Sequence, residues 1–84
     1  TDILYLEAAG NYVKVITREG TITTREKISD LLQTLAGANF LRVHKSFAVA
    51  VDYIERIEGN RIGIGPHLIP IGKQYKLNVD WLLG

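Results

Sequence analysis

Short stretches of the chain alternate apolar and polar residues with a period of two, and this pattern predicts β-strands. In residues 12–17 the two valines fall on one face, and Tyr12 and Lys14 fall on the other. Branched and aromatic residues, which suit a pleated sheet, predict further strands at 3–7 and 21–24, with a Glu-Gly turn before the latter. The first part of the chain is therefore predicted as three consecutive strands.

One segment has the periodicity of a helix instead. Apolar residues recur at three- and four-residue spacing at Ile28, Leu31, Leu32 and Leu35, which gives a single apolar stripe. A helix of about two to three turns is marginal in isolation. We therefore expect this helix to be short and to pack its stripe against the sheet.

The second half of the chain returns to strand-like patterns. The stretch Phe40–Val51 mixes apolar residues with the polar run His44, Lys45 and Ser46. Strands are predicted at 53–58, 61–64 and 68–71, joined by turns at 59–60 and 65–66. Pro70 lacks a backbone N–H, so the last of these strands is predicted at a sheet edge. The fold class is mainly β, with one short helix after the third strand and a possible C-terminal helix within 72–84.

Length and composition limit the class of protein. The 84 residues fit one domain, 1–84, and the apolar share of 46% is typical of a globular chain. Cysteine is absent, which excludes disulfides and thiolate metal sites and is compatible with a cytoplasmic location. No apolar run is long enough to cross a bilayer, and the start does not resemble a secretory leader. Because the chain begins at Thr1 without methionine, we interpret it as a fragment of a longer protein.

Enzymatic and metal-binding constellations are weak. His44, Lys45 and Ser46 are adjacent, but neighbouring side chains in a strand point to opposite faces and rarely form a catalytic pair. His44 is better interpreted as a histidine whose ring is satisfied by backbone in a partly buried turn. His44 and His67 have no carboxylate cluster at ligand spacing. No catalytic residue, metal ligand or cofactor is predicted, and we do not expect an enzyme.

The basic residues are more suggestive of nucleic-acid binding. The formal net charge is only +1, so a DNA-binding surface would need its positive charge concentrated on one face. Cations lie near predicted loops or strand ends beside amides and hydroxyls, a mixture that contacts phosphates and base edges. These cations are Lys14, Arg42, Lys45, Lys73 and Lys76. Acidic residues gather instead around the central hairpin, an arrangement that would segregate charge.

Three segments, in order along nearly the whole chain, match the sequence motifs of one protein family. Residues 3–13, I-L-Y-L-E-A-A-G-N-Y-V, resemble the family opening I-x-Y-I-E-A-x-G-N-Y-V. Residues 40–47, F-L-R-V-H-K-S-F, resemble F-x-R-V-H-[RK]-S-[YF] and precede an acidic–Tyr–Ile run at 52–54. Residues 69–75, I-P-I-G-K-Q-Y, resemble I-P-V-S-R-x-Y. The family that these three segments resemble is the LytTR family of bacterial DNA-binding domains. The predicted helix falls between the first two segments, as it does in that family.

The resemblance implies an elongated antiparallel β fold of several short sheets whose loops, rather than a recognition helix, contact DNA. The implied DNA-binding residues are Asn11, Tyr12 and Lys14 in the first segment, Arg42, His44, Lys45 and Ser46 in the second, and Lys73 and Gln74 in the third. The resemblance implies that Lys45 contacts a base edge or a phosphate, that Ser46 contacts a phosphate, and that Lys73 reaches into a groove. The chain departs from the family at Ala50, where Asn is common, at Gly72, where Ser is usual, and at Lys73, where Arg is usual.

The function implied is sequence-specific binding of double-stranded DNA for transcription regulation. Loops would enter successive major grooves, at paired direct repeats. Further expected partners are a receiver or other sensory domain in the full-length protein, as in a bacterial two-component response regulator, and a second copy on DNA, with no membrane contact. The alternative is a small β protein-interaction module without DNA binding. A clustered basic surface favours DNA, and an exposed apolar groove favours a partner protein.

Overall fold

The computed structural model describes residues 2–83, which form strands, two short helices and two 3₁₀ turns. The strands are β1 (Ile3–Ala9), β2 (Tyr12–Thr17), β3 (Gly20–Thr24), β4 (Phe40–His44), β5 (Phe47–Ala50), β6 (Arg56–Glu58), β7 (Arg61–Ile64) and β8 (His67–Pro70). The helices are α1 (Ile28–Thr34) and α2 (Lys76–Leu83), and the 3₁₀ turns are Val51–Tyr53 and Lys73–Tyr75. The predicted mainly β fold, the helix after the third strand and the C-terminal helix are confirmed.

The strands form two antiparallel sheets. The larger has the order β3-β2-β1-β5-β4, and the smaller has the order β6-β7-β8. The predicted edge position of the strand with Pro70 is confirmed. The molecule measures 32 × 25 × 24 Å, so it is slightly longer than it is wide.

The period-two pattern places apolar side chains on both faces of the larger sheet. One face packs against the smaller sheet and α2 in a cluster of Tyr5, Ile16, Val43, Val49, Ile62, Ile64, Ile69 and Val79. The other face packs against α1 in a cluster of Leu6, Val13, Val15, Ile28, Leu31 and Ala48. The apolar stripe of α1 therefore docks on the sheet as expected.

Tyr5 links the two sheets within the first cluster. Its hydroxyl lies 3.3 Å from Nδ1 of His67 on β8, and the two rings meet edge to face. Burial raises the pKa of the Tyr5 phenol, and the Glu7 carboxylate raises it further. The phenol therefore stays neutral and keeps the hydrogen bond between β1 and β8.

One predicted strand starts later than the sequence pattern indicates. The strand predicted from Tyr53 begins at Arg56, because Val51–Tyr53 forms a 3₁₀ turn closed by the Ile54 amide on the Val51 carbonyl at 3.2 Å. The chain crosses here from the larger sheet to the smaller one. Tyr53 belongs to this crossover and lies outside the strands, although tyrosine is a residue type that is common in strands.

The register defines two ends of the molecule. The loop end carries the turns at 10–11, 45–46 and 59–60 together with segment 71–75, and the Ile71 amide donates to the Asn60 carbonyl at 2.8 Å there. Gly10 and Gly59 have φ of 63° and 60°, a region that favours glycine in such tight turns. The opposite end carries the turns at 18–19 and 65–66.

Candidate nucleic-acid interface

The three sequence segments that carry the predicted DNA-binding residues meet at the loop end. The Ala8 amide, just before the first turn, donates to the Ser46 carbonyl in the second turn at 2.8 Å. The Gly72 amide, at the start of the third segment, donates to the Val43 carbonyl on β4 at 2.8 Å. Two backbone hydrogen bonds therefore fix the first and third segments to the second.

The strand register relates Lys14 to the second segment. Lys14 on β2 lies opposite Glu7 on β1, Glu7 lies opposite Phe47 on β5, and Phe47 lies opposite His44 on β4. These residues form one row across adjacent strands. With a strand spacing of about 4.8 Å, the Lys14 backbone lies roughly 10 Å from that of Phe47, two residues after Lys45. Lys14 and Lys45 thus project from the same end of one sheet.

Side chains from β4 build the second turn. The Ser46 amide donates to Nδ1 of His44 at 3.0 Å, and the His44 ring packs edge-on against Phe47. The Arg42 guanidinium donates from Nε to the His44 carbonyl at 3.0 Å and from one Nη to the Lys45 carbonyl. The expectation that backbone satisfies the His44 ring is confirmed by its bond to Ser46. Both side chains are thus engaged in shaping the turn. The DNA contacts implied for Arg42 and His44 stay predictions.

This arrangement predicts that Arg42 stabilises the second turn from within the domain. Arg42→Ala should lower the free energy of unfolding by about 1–2 kcal/mol, because it removes charge-assisted hydrogen bonds to two partly exposed carbonyls. Urea unfolding measures this loss. Arg42→Lys should recover less than half of it, since an ammonium lacks the planar fork that spans both acceptors. An unchanged unfolding midpoint with weakened DNA binding would assign Arg42 to DNA contact instead.

The third segment lies directly against the second. His44, Lys45, Gly72, Lys73, Gln74 and Tyr75 line one shallow cleft. A Cβ added at Gly72 would lie 3.3 Å from the Tyr75 ring and 3.4 Å from the His44 ring, so the glycine permits this close approach. Lys73 and Gln74 are exposed beside the exposed Lys45. The structure therefore brings these side chains together on a single surface.

Charge is distributed unevenly between the two ends. The loop end presents exposed cations at Lys14, Arg25, Lys45, Arg61 and Lys73. Its carboxylates are Glu7, Glu26 and Glu58, the last of which is bound by Arg56. Carboxylates collect at the opposite end at Asp2, Glu19, Asp52 and Glu55, where they outnumber the cations Arg18 and Arg56. The two ends therefore differ in sign even though the formal net charge is only +1.

Two cations at the loop end, Arg25 and Arg61, were not among the residues predicted from the sequence. Arg25 follows β3 and lies beside the first segment, with its guanidinium 3.1 Å from the Tyr12 hydroxyl. Arg61 follows the 59–60 turn, which the Asn60–Ile71 hydrogen bond attaches to the third segment. Arg25 could have been found, since an antiparallel β2–β3 pair returns the residue after β3 to the first turn. The position of Arg61 at the loop end depends on how the two sheets pack, which local sequence patterns do not indicate.

Other kinds of site have little support within residues 2–83. No group of three histidine, cysteine or carboxylate side chains there could hold a metal ion. None of the helices in the same range is long and apolar enough to span a bilayer. Of the large apolar side chains in this range, Leu77 and Trp81 on α2 are the most exposed, at 82% and 85%.

Comparisons with known proteins agree with this geometry. The family model described as the LytTr DNA-binding domain matches residues 1–82. Among solved structures, the chain is similar to a LytTr DNA-binding domain from Bacillus cereus, whose parent protein is described as a methyl-accepting/DNA response regulator. That match has a TM-score of 0.85 and 25% sequence identity, and covers 99% of this chain and 82% of the other. No curated protein matches the chain.

Proposed function

The chain belongs to the LytTR family of DNA-binding domains, and from that premise we propose that its loop end binds double-stranded DNA sequence-specifically to regulate transcription. The observation that carries the proposal is the junction of three cation-bearing segments at one end of the fold. The Ser46 and Val43 carbonyls hold these segments together. A rigid scaffold that presents polar loops is the usual way in which proteins position binding residues.

Lysines and arginines at the loop end would supply most of the affinity. They neutralise phosphates and release condensed counterions, a contribution that does not depend on sequence. Carboxylates at the opposite end orient the domain, since that end is repelled by the phosphate backbone. Among the predicted residues, Lys14 and Ser46 suit phosphate contact, because both lie at the loop end and neither lines the cleft between the second and third segments.

Sequence would be read at the cleft between the second and third segments. Lys45, Lys73 and Gln74 are exposed there, and lysine and glutamine side chains hydrogen-bond to guanine and adenine edges in the major groove. Asn11 lies at the neighbouring turn and would enter an adjacent groove, and Tyr12 next to it would contact DNA at the border of that groove. Two grooves reached by short loops favour bent DNA, so deformable base steps would add to specificity.

The biological setting proposed is a bacterial transcription regulator acting in the cytoplasm. A receiver or other sensory domain would control the DNA-binding domain in the longer protein. Two copies bound to paired direct repeats would extend the recognised sequence, because one small domain contacts few base pairs.

Selection of bound fragments from random duplex DNA tests this function. We expect a reproducible pair of short motifs in the same orientation, about one or two helical turns apart. A single motif without a repeat would contradict the paired arrangement. Retention of DNA without any enriched sequence would contradict specific recognition, and failure to retain duplex at low salt would contradict DNA binding altogether.

One observation favours the alternative of a protein-interaction surface. Leu77 and Trp81 are four residues apart on α2 and share one exposed helix face. An exposed apolar pair of this kind suits contact with another protein. If selection yields no DNA binding, this face becomes the better-supported interface.

A further inference from the structure

We propose that Arg25, held against Tyr12, is a phosphate-binding residue that marks the outer limit of the DNA footprint. The inference rests on the proposed DNA-binding function and adds a contact outside the three segments. It concerns the turn between β3 and α1, at the edge of the larger sheet that lies opposite the edge nearest Lys73.

The Arg25 side chain is held in place by its neighbour. Its Nη2 donates to the Tyr12 hydroxyl at 3.1 Å, and its guanidinium carbon lies 5.3 Å from the centre of the Tyr12 ring. The hydrogen bond and the ring contact restrict a side chain that would otherwise have many rotamers. Because less freedom remains to be lost on binding, an arginine held in this way binds an anion at lower entropic cost.

The guanidinium is also available to a ligand. Arg25 is exposed, and no carboxylate of residues 2–83 lies within ion-pair distance of it. The adjacent Glu26 accepts instead from the Thr24 hydroxyl at 3.4 Å. Arg56 differs, since Glu55 and Glu58 bind it. The bond to Tyr12 uses one edge of the guanidinium and leaves donors for a two-point contact with a phosphate.

The position of Arg25 explains why it would contact the backbone. Arg25 follows β3 at one edge of the larger sheet, and the third segment packs on β4 at the other edge. The Arg25 guanidinium reaches back to Tyr12 on β2, three strand spacings of about 4.8 Å from β4, or roughly 14 Å. The major groove is only about 12 Å wide, so Arg25 lies beyond any groove that holds Lys45 and Lys73. The phosphates that border this groove are the nearest charged groups in its reach.

Filter binding or fluorescence anisotropy with two duplexes tests the proposal: one selected from a random pool and one scrambled duplex of the same composition. For Arg25→Ala we expect the magnitude of the log–log salt slope to fall by about 0.9 on both duplexes, because one phosphate contact is lost. Relative to equal binding at about 1 M salt, this change corresponds to about 8-fold weaker binding at about 0.1 M salt. A loss confined to the selected duplex, or an unchanged slope, would overturn the assignment to phosphate.

Arg18 provides a matched control at the opposite end. Its guanidinium lies 5.9 Å from the centre of the Tyr53 ring, so it has the same kind of aromatic contact without a place at the loop end. Arg18→Ala should leave both affinity and salt slope unchanged. A loss equal to that of Arg25→Ala would show that the effect comes from overall charge, and would overturn the proposal.

A double-mutant cycle tests the role of Tyr12. Tyr12→Phe keeps the ring and removes the hydroxyl, so we expect a smaller loss, about 2-fold, that disappears in the Arg25→Ala background. Losses that simply multiply would show that Tyr12 acts independently of Arg25. If the unmodified domain binds neither duplex, the proposed function itself fails; if it binds and only the Arg25 variants behave like Arg18→Ala, the failure is confined to this inference.

Discussion

The affinity of this domain for duplex DNA is expected to fall about 60- to 1000-fold when salt rises from about 50 to about 200 mM. This range corresponds to a log–log slope of roughly −3 to −5, for about three to five phosphate contacts. The exposed loop-end cations Lys14, Arg25, Lys45, Arg61 and Lys73 are enough for that number. Titrations of a labelled duplex at several salt concentrations measure the slope directly.

The steep slope follows from the separation of charge and not from the total charge. A formal net charge of +1 spread evenly would attract DNA weakly and would give a shallow dependence on salt. Here most of the exposed cations lie at the loop end, and carboxylates such as Asp2 and Glu55 outnumber the cations at the opposite end. The loop end alone therefore behaves as a basic surface within the Debye length of about 8–10 Å.

Two variants sharpen the salt measurement. Lys14→Ala should lower the magnitude of the slope by about 1, because it removes one phosphate contact from the loop end. Arg56→Ala should leave the slope as it is, since Glu55 and Glu58 already neutralise that guanidinium. A slope near zero for the unmodified domain would contradict binding through the phosphate backbone.

Local patterns were enough to predict most of the elements. The alternation in residues 12–17 and the stripe from Ile28 to Leu35 are each settled by side chains within one element, and both elements form as expected. The hairpin at 59–60 was also predictable, because glycine with positive φ fixes the turn whatever surrounds it. Secondary structure is the level at which neighbouring residues decide most.

The packing of the elements could not be predicted in the same way. Tyrosine is common in strands, yet Tyr53 lies in the crossover between the two sheets. The local sequence pattern does not show that the strands divide into two sheets. Arginine is usually a solvated surface cation, yet the guanidinium of Arg42 donates to two carbonyls of the next turn. Both outcomes depend on where the chain has to go next, which is a property of the whole fold.

The candidate site was predictable as a set of segments and not as a set of contacts. The family resemblance pointed to the segments around Asn11, Lys45 and Lys73, and the structure places these segments at one end. It did not point to Arg25, because the turn after β3 lies outside the three segments that resemble the family. Surface neighbours from different parts of the chain become visible only when the sheet order is known.

Lys73→Ala is expected to weaken binding to a selected DNA sequence by about 1–3 kcal/mol, or roughly 5- to 150-fold, with relaxed preference at one base position. Lys73 is exposed beside Lys45 at the cleft where the second and third segments meet, which is the place best suited to enter a groove. Repeating the selection with the variant, alongside affinity measurements on the selected and scrambled duplexes, measures both effects.

The comparison with Lys14 decides what kind of contact Lys73 makes. Lys14→Ala should weaken both duplexes equally, because a phosphate contact carries no sequence information, whereas Lys73→Ala should weaken the selected duplex more. Equal losses for Lys73→Ala would assign Lys73 to phosphate. Lys73→Arg adds a second test: a guanidinium makes a two-point contact with guanine that an ammonium does not, so this variant should bind at least as tightly and favour guanine at the affected position. If Lys73→Arg changed affinity on both duplexes without changing base preference, Lys73 would lie outside the groove, and sequence would have to be read by other side chains of the cleft.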